Sequence, residues 1–263
     1  MSTLVLKLVF TPLLICGASL AGRRWGEAVG GWLVGLPLTS GPVAFFLALD
    51  YGTEFAEEAA IGSLAGVVAQ AGFCVAYAWA TKGLPWPLAL GGGAVAFVLT
   101  AAALQWIAPG PFAMLVIALL ALLLGLRLIP HTRVLATIET PPRWDIPARM
   151  VVATALVVLL TAAAPMLGPR VSGLLATFPV FAAVLAVFAH RTQGAPAAWQ
   201  VLWGLQLGLF AFAVFFIVIE VSITRAGIAL AFVCAIVCAV AIQAVTLWAM
   251  RATGSGVIAD RRG

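Results

Sequence analysis

The sequence predicts an all-α polytopic membrane protein with nine transmembrane helices, built as two inverted four-helix repeats joined by a linking helix. Three observations carry that expectation. Of 263 residues, 64% are hydrophobic and 9% charged, with a mean hydropathy of +1.15, whereas soluble domains carry roughly 25% charged residues. The apolar residues fall in stretches close to the ~20 residues that cross a bilayer as a helix. The chain also matches itself at an offset of 142 residues.

Taken in order, the spans are 3–21, 28–49, 58–80, 86–107, 111–129, 148–166, 170–189, 198–221 and 227–250, separated by polar or Pro/Gly punctuation. All nine are helices, because an open sheet leaves backbone groups unsatisfied in lipid. The first is a span rather than a cleaved leader: Lys7 is a single positive charge, and the apolar run continues to Ala21 without a small-residue cleavage site. The stretch 131–147, HTRVLATIETPPRWDIP, reads as a linker. Residues 1–110 then form the first repeat, 111–147 the linking helix and loop, 148–252 the second repeat, and 253–263 a tail.

The charges set orientation. With alternating spans, one side receives Arg23, Arg24, Lys82, Arg127, Arg133, Arg143, Arg149, Arg191, Arg251, Arg261 and Arg262, and the other only Lys7, Arg170 and Arg225. By the positive-inside rule the N-terminus lies outside and the C-terminus in the cytoplasm of a bacterial inner membrane. The net charge of +5 is therefore spread over short loops, which argues against a nucleic-acid partner. The acidic loop with Asp50, Glu54, Glu57 and Glu58 falls outside.

The internal match pairs Gly26 with Gly168, Gly31 with Gly173, Pro37 with Pro179, Gly52 with Gly194, Gly62 with Gly204, Gly66 with Gly208, and Trp106 with Trp248, without a gap. Each copy holds four spans, and the single fifth span between them reverses the direction of the second copy. Inverted repeats are a recurrent build in secondary transporters, with the substrate site where the repeats meet. Duplicated membrane proteins also include channels, scaffolds and accessory subunits.

Residues 31–42, GWLVGLPLTSGP, place helix-breaking prolines inside a span. Proline removes a backbone donor and clashes with the preceding turn. The result is either a plain kink or a discontinuous helix whose free backbone groups contact a ligand. Pro179 repeats the feature, but VFAAV follows it where the first copy has LTSGP, so the first copy is expected to supply the polar contacts. Gly62 with Gly66 and Gly204 with Gly208 form small-xxx-small motifs, ordinarily used for close helix packing; the two helices are expected to be central and to cross each other.

Gln70, Gln105, Gln206, Gln243, Tyr77 and Glu220 are the polar residues within spans singled out here. Gln70 and Gln206 lie near the middle of the glycine-motif helices, where each either bonds a neighbouring helix or faces a cavity. Glu220 is an intramembrane acid, a functional candidate by default, or else the partner of Arg225. His190 titrates near neutral pH or anchors the interface.

The motifs of catalysis are missing: there is no HExxH, GxSxG or Gly-Lys-Ser/Thr loop. No catalytic residue, metal site or cofactor is expected, and the chain is not read as an enzyme. Cys16, Cys74, Cys234 and Cys238 all lie in apolar runs, where small buried cysteines pack.

Residues 173–190, GLLATFPVFAAVLAVFAH, carry Gly173, Leu174, Phe178, Pro179, Ala189 and His190 in a pattern that resembles the GlpM family of small bacterial inner-membrane proteins. The first copy keeps Gly31 and Pro37, with Leu36 for the Phe and Ala48 for the His. The resemblance implies a polytopic inner-membrane protein associated with envelope polysaccharide production, and no defined biochemical activity.

The expected function is a secondary transporter or facilitator for a small solute or lipid-linked molecule, with proton coupling as an option. The binding residues would be Pro37, Thr39, Ser40, Gly41, Pro42, Gln70, Thr177, Pro179 and Gln206, with Glu220 and His190 as proton-coupling candidates. Membrane lipid and a small-molecule substrate are the expected partners, with a second copy of the chain or an envelope-assembly protein as further ones. The alternative is a non-transporting subunit of envelope polysaccharide or lipid assembly. A polar cavity touched by both repeats favours the transporter; a dry interface between them favours the subunit.

Overall fold

A computed structural model describes residues 3–38, 40–130, 142, 144–163 and 178–259. Among them there is no strand, and ten helices account for the fold: α1 (Thr3–Trp25), α2 (Glu27–Val34), α3 (Ser40–Tyr51), α4 (Thr53–Ala80), α5 (Trp86–Ile107), α6 (Pro111–Leu128), α7 (Asp145–Ala163), α8 (Val180–Gln193), α9 (Ala195–Ala226) and α10 (Ile228–Ala259). Five of these, α4, α5, α6, α9 and α10, are each long and apolar enough to cross a membrane. The chain is a multi-pass helical membrane protein.

The core is built on α4 and α9, which pack along each other and carry the largest fully buried side chains, including Leu64, Phe73 and Tyr77 from one and Leu202, Leu205, Leu209 and Phe216 from the other. α5 lies on α4, α10 lies on α9, and α6 bridges both central helices. α2 packs against α9 and α1, α1 packs against α7, and α8 sits on α9 and α7. The outward faces of α5, α6 and α10 expose leucine, valine and isoleucine, as expected where lipid is the solvent.

The elements recur at the sequence offset. α1 and α7 begin 142 residues apart, as do α4 and α9, and α5 and α10; α3 and α8 end with the same separation. Gly52 and Gly194 precede the two central helices with φ, ψ of 90°, 174° and 88°, 174°. A side chain is strained at such positive φ, so glycine is the residue that lets the chain turn from one helix straight into the next.

Several boundaries differ from the sequence expectation. α4 begins at Thr53, so Glu54, Glu57 and Glu58 form its first turns rather than a loop. α1 runs on to Trp25, α7 begins at Asp145, and α10 continues to Ala259. Charged residues continue a helix readily once it leaves the hydrocarbon, because hydropathy limits the span and not the helix.

Candidate functional site

The expected span 28–49 is two helices, α2 and α3, with the break at Gly35–Leu38. Pro37 has no N–H to give Leu33, and the Leu33 carbonyl accepts instead from Leu36 N at 3.3 Å. Leu38 N then donates to Leu36 O at 2.8 Å, closing a three-residue turn over Pro37, and Gly41 N donates to Pro37 O at 2.8 Å to start α3. The second copy repeats the last two steps. Val180 N donates to Phe178 O and Ala183 N to Pro179 O, both at 2.8 Å. Pro179 itself lies at φ −79°, ψ 62°, the inverse γ-turn geometry.

The first break frees a carbonyl that the fold satisfies from across the bundle. In an unbroken helix Trp32 O would accept from Leu36 N; here it accepts from Gln243 Nε2 of α10 at 3.1 Å. The Trp32 indole donates to Thr246 Oγ1 at 3.0 Å, and that hydroxyl donates to Gln243 O at 3.0 Å. Gln243 and Thr246, one turn apart on an apolar helix, thus hold the end of α2. Gln243 Oε1 is buried without a partner.

α2 is also held by backbone contact. A Cβ on Gly31 would enter the Val201 carbonyl, one on Gly204 the Ala28 carbonyl, and one on Gly208 the Trp32 carbonyl. A Cβ on Gly35 would lie 2.5 Å from Gly208 Cα. The small-xxx-small motif of α9 therefore meets a second one, Gly31 and Gly35, on α2. This corrects the expected pairing. α4 and α9 are central and adjacent as expected, but Gly204 and Gly208 face α2; Gly62 is exposed with no atom within 4 Å of an added Cβ, while Gly66 is buried.

The remaining expected site residues do not converge. Pro37 and Gly41 are buried, a Cβ added to Gly41 would lie 3.4 Å from the Phe215 ring, and Ser40 and Pro42 are half-buried at the start of α3. Pro179 is buried beside Phe178, whose ring stacks edge-on with Phe73 and Phe97 at 5.9 and 5.4 Å. Gln206 is wholly buried between α4 and α6: its Nε2 donates to Ala71 O at 3.4 Å, and Gly125 leaves the room it fills. Gln70 is half-buried on α4. Thr39 and Thr177 lie outside the described residues.

A cavity of about 660 Å³ opens beside the first break. Leu13 and Gly17 of α1, Leu36 and Leu38 of the break, and Phe181 just after Pro179 line it, so both halves contribute. Among the described residues its single charged wall residue is Arg24, next to Trp25. Ser40, Gln70 and Gln206 do not line it. The walls are apolar where polar ones were expected, and the carbonyl freed at the break, Trp32 O, turns inward to α10 rather than into the groove.

Glu220 is buried, and no ion pair links it to Arg225; both Glu57 of α4 and Arg225 act on it electrostatically. His190 Nδ1 lies 3.4 Å from the Tyr77 hydroxyl, a contact between α8 and α4. Close by in the fold, Gln193 Nε2 donates to Glu27 Oε1 at 2.8 Å, and Trp199 Nε1 donates to Thr81 Oγ1 at 2.8 Å.

Sequence reasoning missed a buried charge cluster. Asp145 Oδ2 takes Arg23 Nη2 at 3.2 Å and Arg149 Nε at 3.0 Å, with Asp145 and Arg149 almost fully buried. Arg149 also lies over the Phe188 ring, 5.6 Å from its centre. The i, i+4 spacing of Asp145 and Arg149 was readable as a local pair, but nothing local points to Arg23.

The fold and the groove define a multi-pass helical membrane protein with a proline γ-turn in each half, the first of them breaking a helix beside a cavity that residues of both halves line. No protein-family model, curated protein or solved structure matches the chain. Its chemistry is read from its own residues.

Proposed function

We propose that the chain is an inverted-repeat secondary transporter or facilitator of the bacterial inner membrane. The observation that carries this reading is the pair of γ-turns at Pro37 and Pro179, sharing two hydrogen bonds and 142 residues apart, with a cavity between residues of the two halves. α2 and α3 have 8 and 12 residues, or about 30 Å of helix end to end, the thickness of the hydrocarbon core. Together they make one discontinuous span. With α6 as a single linking span, the second half runs opposite to the first. Exchanging the conformations of inverted halves exchanges inward for outward opening.

The test is accessibility. In a chain freed of its four cysteines, a single Leu38→Cys, at an exposed residue that lines the cavity, is labelled with a membrane-impermeant maleimide from each side in turn. Labelling from both sides is expected of an alternating site; protection from both refutes it. In liposomes with a trapped pH-sensitive dye, an imposed gradient tests coupling, and unchanged proton flux in Glu220→Gln and His190→Gln removes those residues from it.

The second reading, an accessory subunit of envelope polysaccharide or lipid assembly, is favoured by one feature. The glycine-lined contact of α2 with α9 crosses the two halves and is close enough, backbone against backbone, to resist sliding.

A further inference from the structure

We infer that the groove between α1 and the Pro37 break seats one anionic phospholipid, an acyl chain along the groove and the phosphate on Arg24. The inference rests on the transporter reading only where it makes a lipid-like anion the substrate class; the binding site stands on its own geometry.

The shape selects a chain. About 660 Å³ lined by leucine, alanine, glycine, valine and Phe181 offers hydrocarbon contact and almost no hydrogen bonding, and each CH₂ moved out of water favours occupancy. A small polar solute would lose its hydration there without compensation.

The charge selects an anion. Three arginines cluster at this end of the bundle. Arg23 and Arg149 share Asp145. Glu27 is satisfied by Gln193 and forms no ion pair. Arg24 lines the groove mouth, is exposed, and makes no ion pair among the described residues. It is left with a free guanidinium, which binds phosphate through paired N–H donors. Trp25 beside it is the residue type found at headgroup depth, and the positive-inside orientation puts Arg24 at the leaflet where anionic lipid attracts basic residues. A zwitterionic lipid brings its own cation to the same spot and gains less.

The experiment is native mass spectrometry of the purified full chain in neutral detergent, with phosphatidylglycerol, phosphatidylcholine or inorganic phosphate added. Wild type is expected to retain phosphatidylglycerol about tenfold more than phosphatidylcholine, the equivalent of one charge-assisted hydrogen bond. Arg24→Gln, at an exposed residue without partners, should bring the two lipids to parity. Gly17→Phe, whose Cβ meets nothing within 4 Å, should fill the groove and reduce both adducts several-fold, with unchanged melting as its folding control. Equal retention of both lipids by wild type, selectivity that survives Arg24→Gln, or binding of phosphate alone as tight as that of the lipid overturns the inference. Transbilayer movement of fluorescent phosphatidylglycerol in proteoliposomes separates the two readings. Selective retention without movement supports the site and rejects this lipid as cargo; maleimide labelling of Leu38→Cys from both sides without selective retention rejects the site and keeps the transporter.

Discussion

Replacing Gly35 by alanine tests the tightest feature of the fold. An added Cβ would stand 2.5 Å from Gly208 Cα, 2.6 Å from its carbonyl carbon and 2.8 Å from Leu209 N, all backbone atoms that no side-chain rotation can move. Carbon atoms rest at about 3.5–4.0 Å, so α2 and α9 must part by about 1 Å. Overpacking of that kind costs about 1–3 kcal/mol. Gly35 already lies at φ −69°, ψ −11°, which alanine adopts without strain, so its lower unfolded-state entropy returns about 0.4–1 kcal/mol. A net loss of about 1–2 kcal/mol follows. The matched control is Gly17→Ala in α1, where the same methyl meets nothing within 4 Å and helix propensity should add up to about 1 kcal/mol. Thermal unfolding in detergent, followed by the fluorescence of the nine tryptophans, reads the difference. At about 2–4 °C per kcal/mol, the two variants should fall on opposite sides of wild type, several degrees apart. Coincident melting of Gly35→Ala and Gly17→Ala would refute the close approach of α2 to α9.

Asp145→Asn should destabilise by about 3–5 kcal/mol, because it strands the buried Arg149 charge. Arg23→Gln, at a side chain 29% exposed, should cost no more than about 1 kcal/mol in the same melting assay; equal losses would show that Asp145 is not a buried hub. Gln243→Leu leaves Trp32 O without its donor and should cost about 0.6–1.7 kcal/mol, the range for interhelical bonds in membranes. Trp32→Phe and Thr246→Val remove the same indole–hydroxyl bond, so their double variant should lose less than the sum of the singles, and strict additivity would separate the two residues. A reporter fused to the C-terminus is expected to be cytoplasmic, and periplasmic activity would rule out nine spans.

What was legible in the sequence was local. Pro37 declared its break because a missing N–H acts within one turn, wherever the helix is placed. Gly52 and Gly194 were legible as a matched pair but not as junctions; that they turn the chain at positive φ is seen only in the structure. The candidate site was less legible. Ser40, Gln70 and Gln206 are polar residues in apolar helices, and polarity gives no direction around the helix axis. Gln206 turned to Ala71 and Gly125, away from the groove, while Arg24, read only as an orientation charge, became a charged wall residue of the groove.

By itself the sequence determined a helical, membrane-embedded chain with a duplicated pattern and a matched proline in each copy, since composition and proline chemistry act without regard to distant neighbours. Tertiary structure decided which glycines meet, because Gly31 and Gly35 face Gly204 and Gly208 only once α2 lies on α9. It also decided that Gln243, 211 residues away from Trp32, closes the carbonyl that Pro37 opens. Groups expected to face a ligand bond across the bundle, and the groove beside the break is left apolar with one free arginine at its mouth.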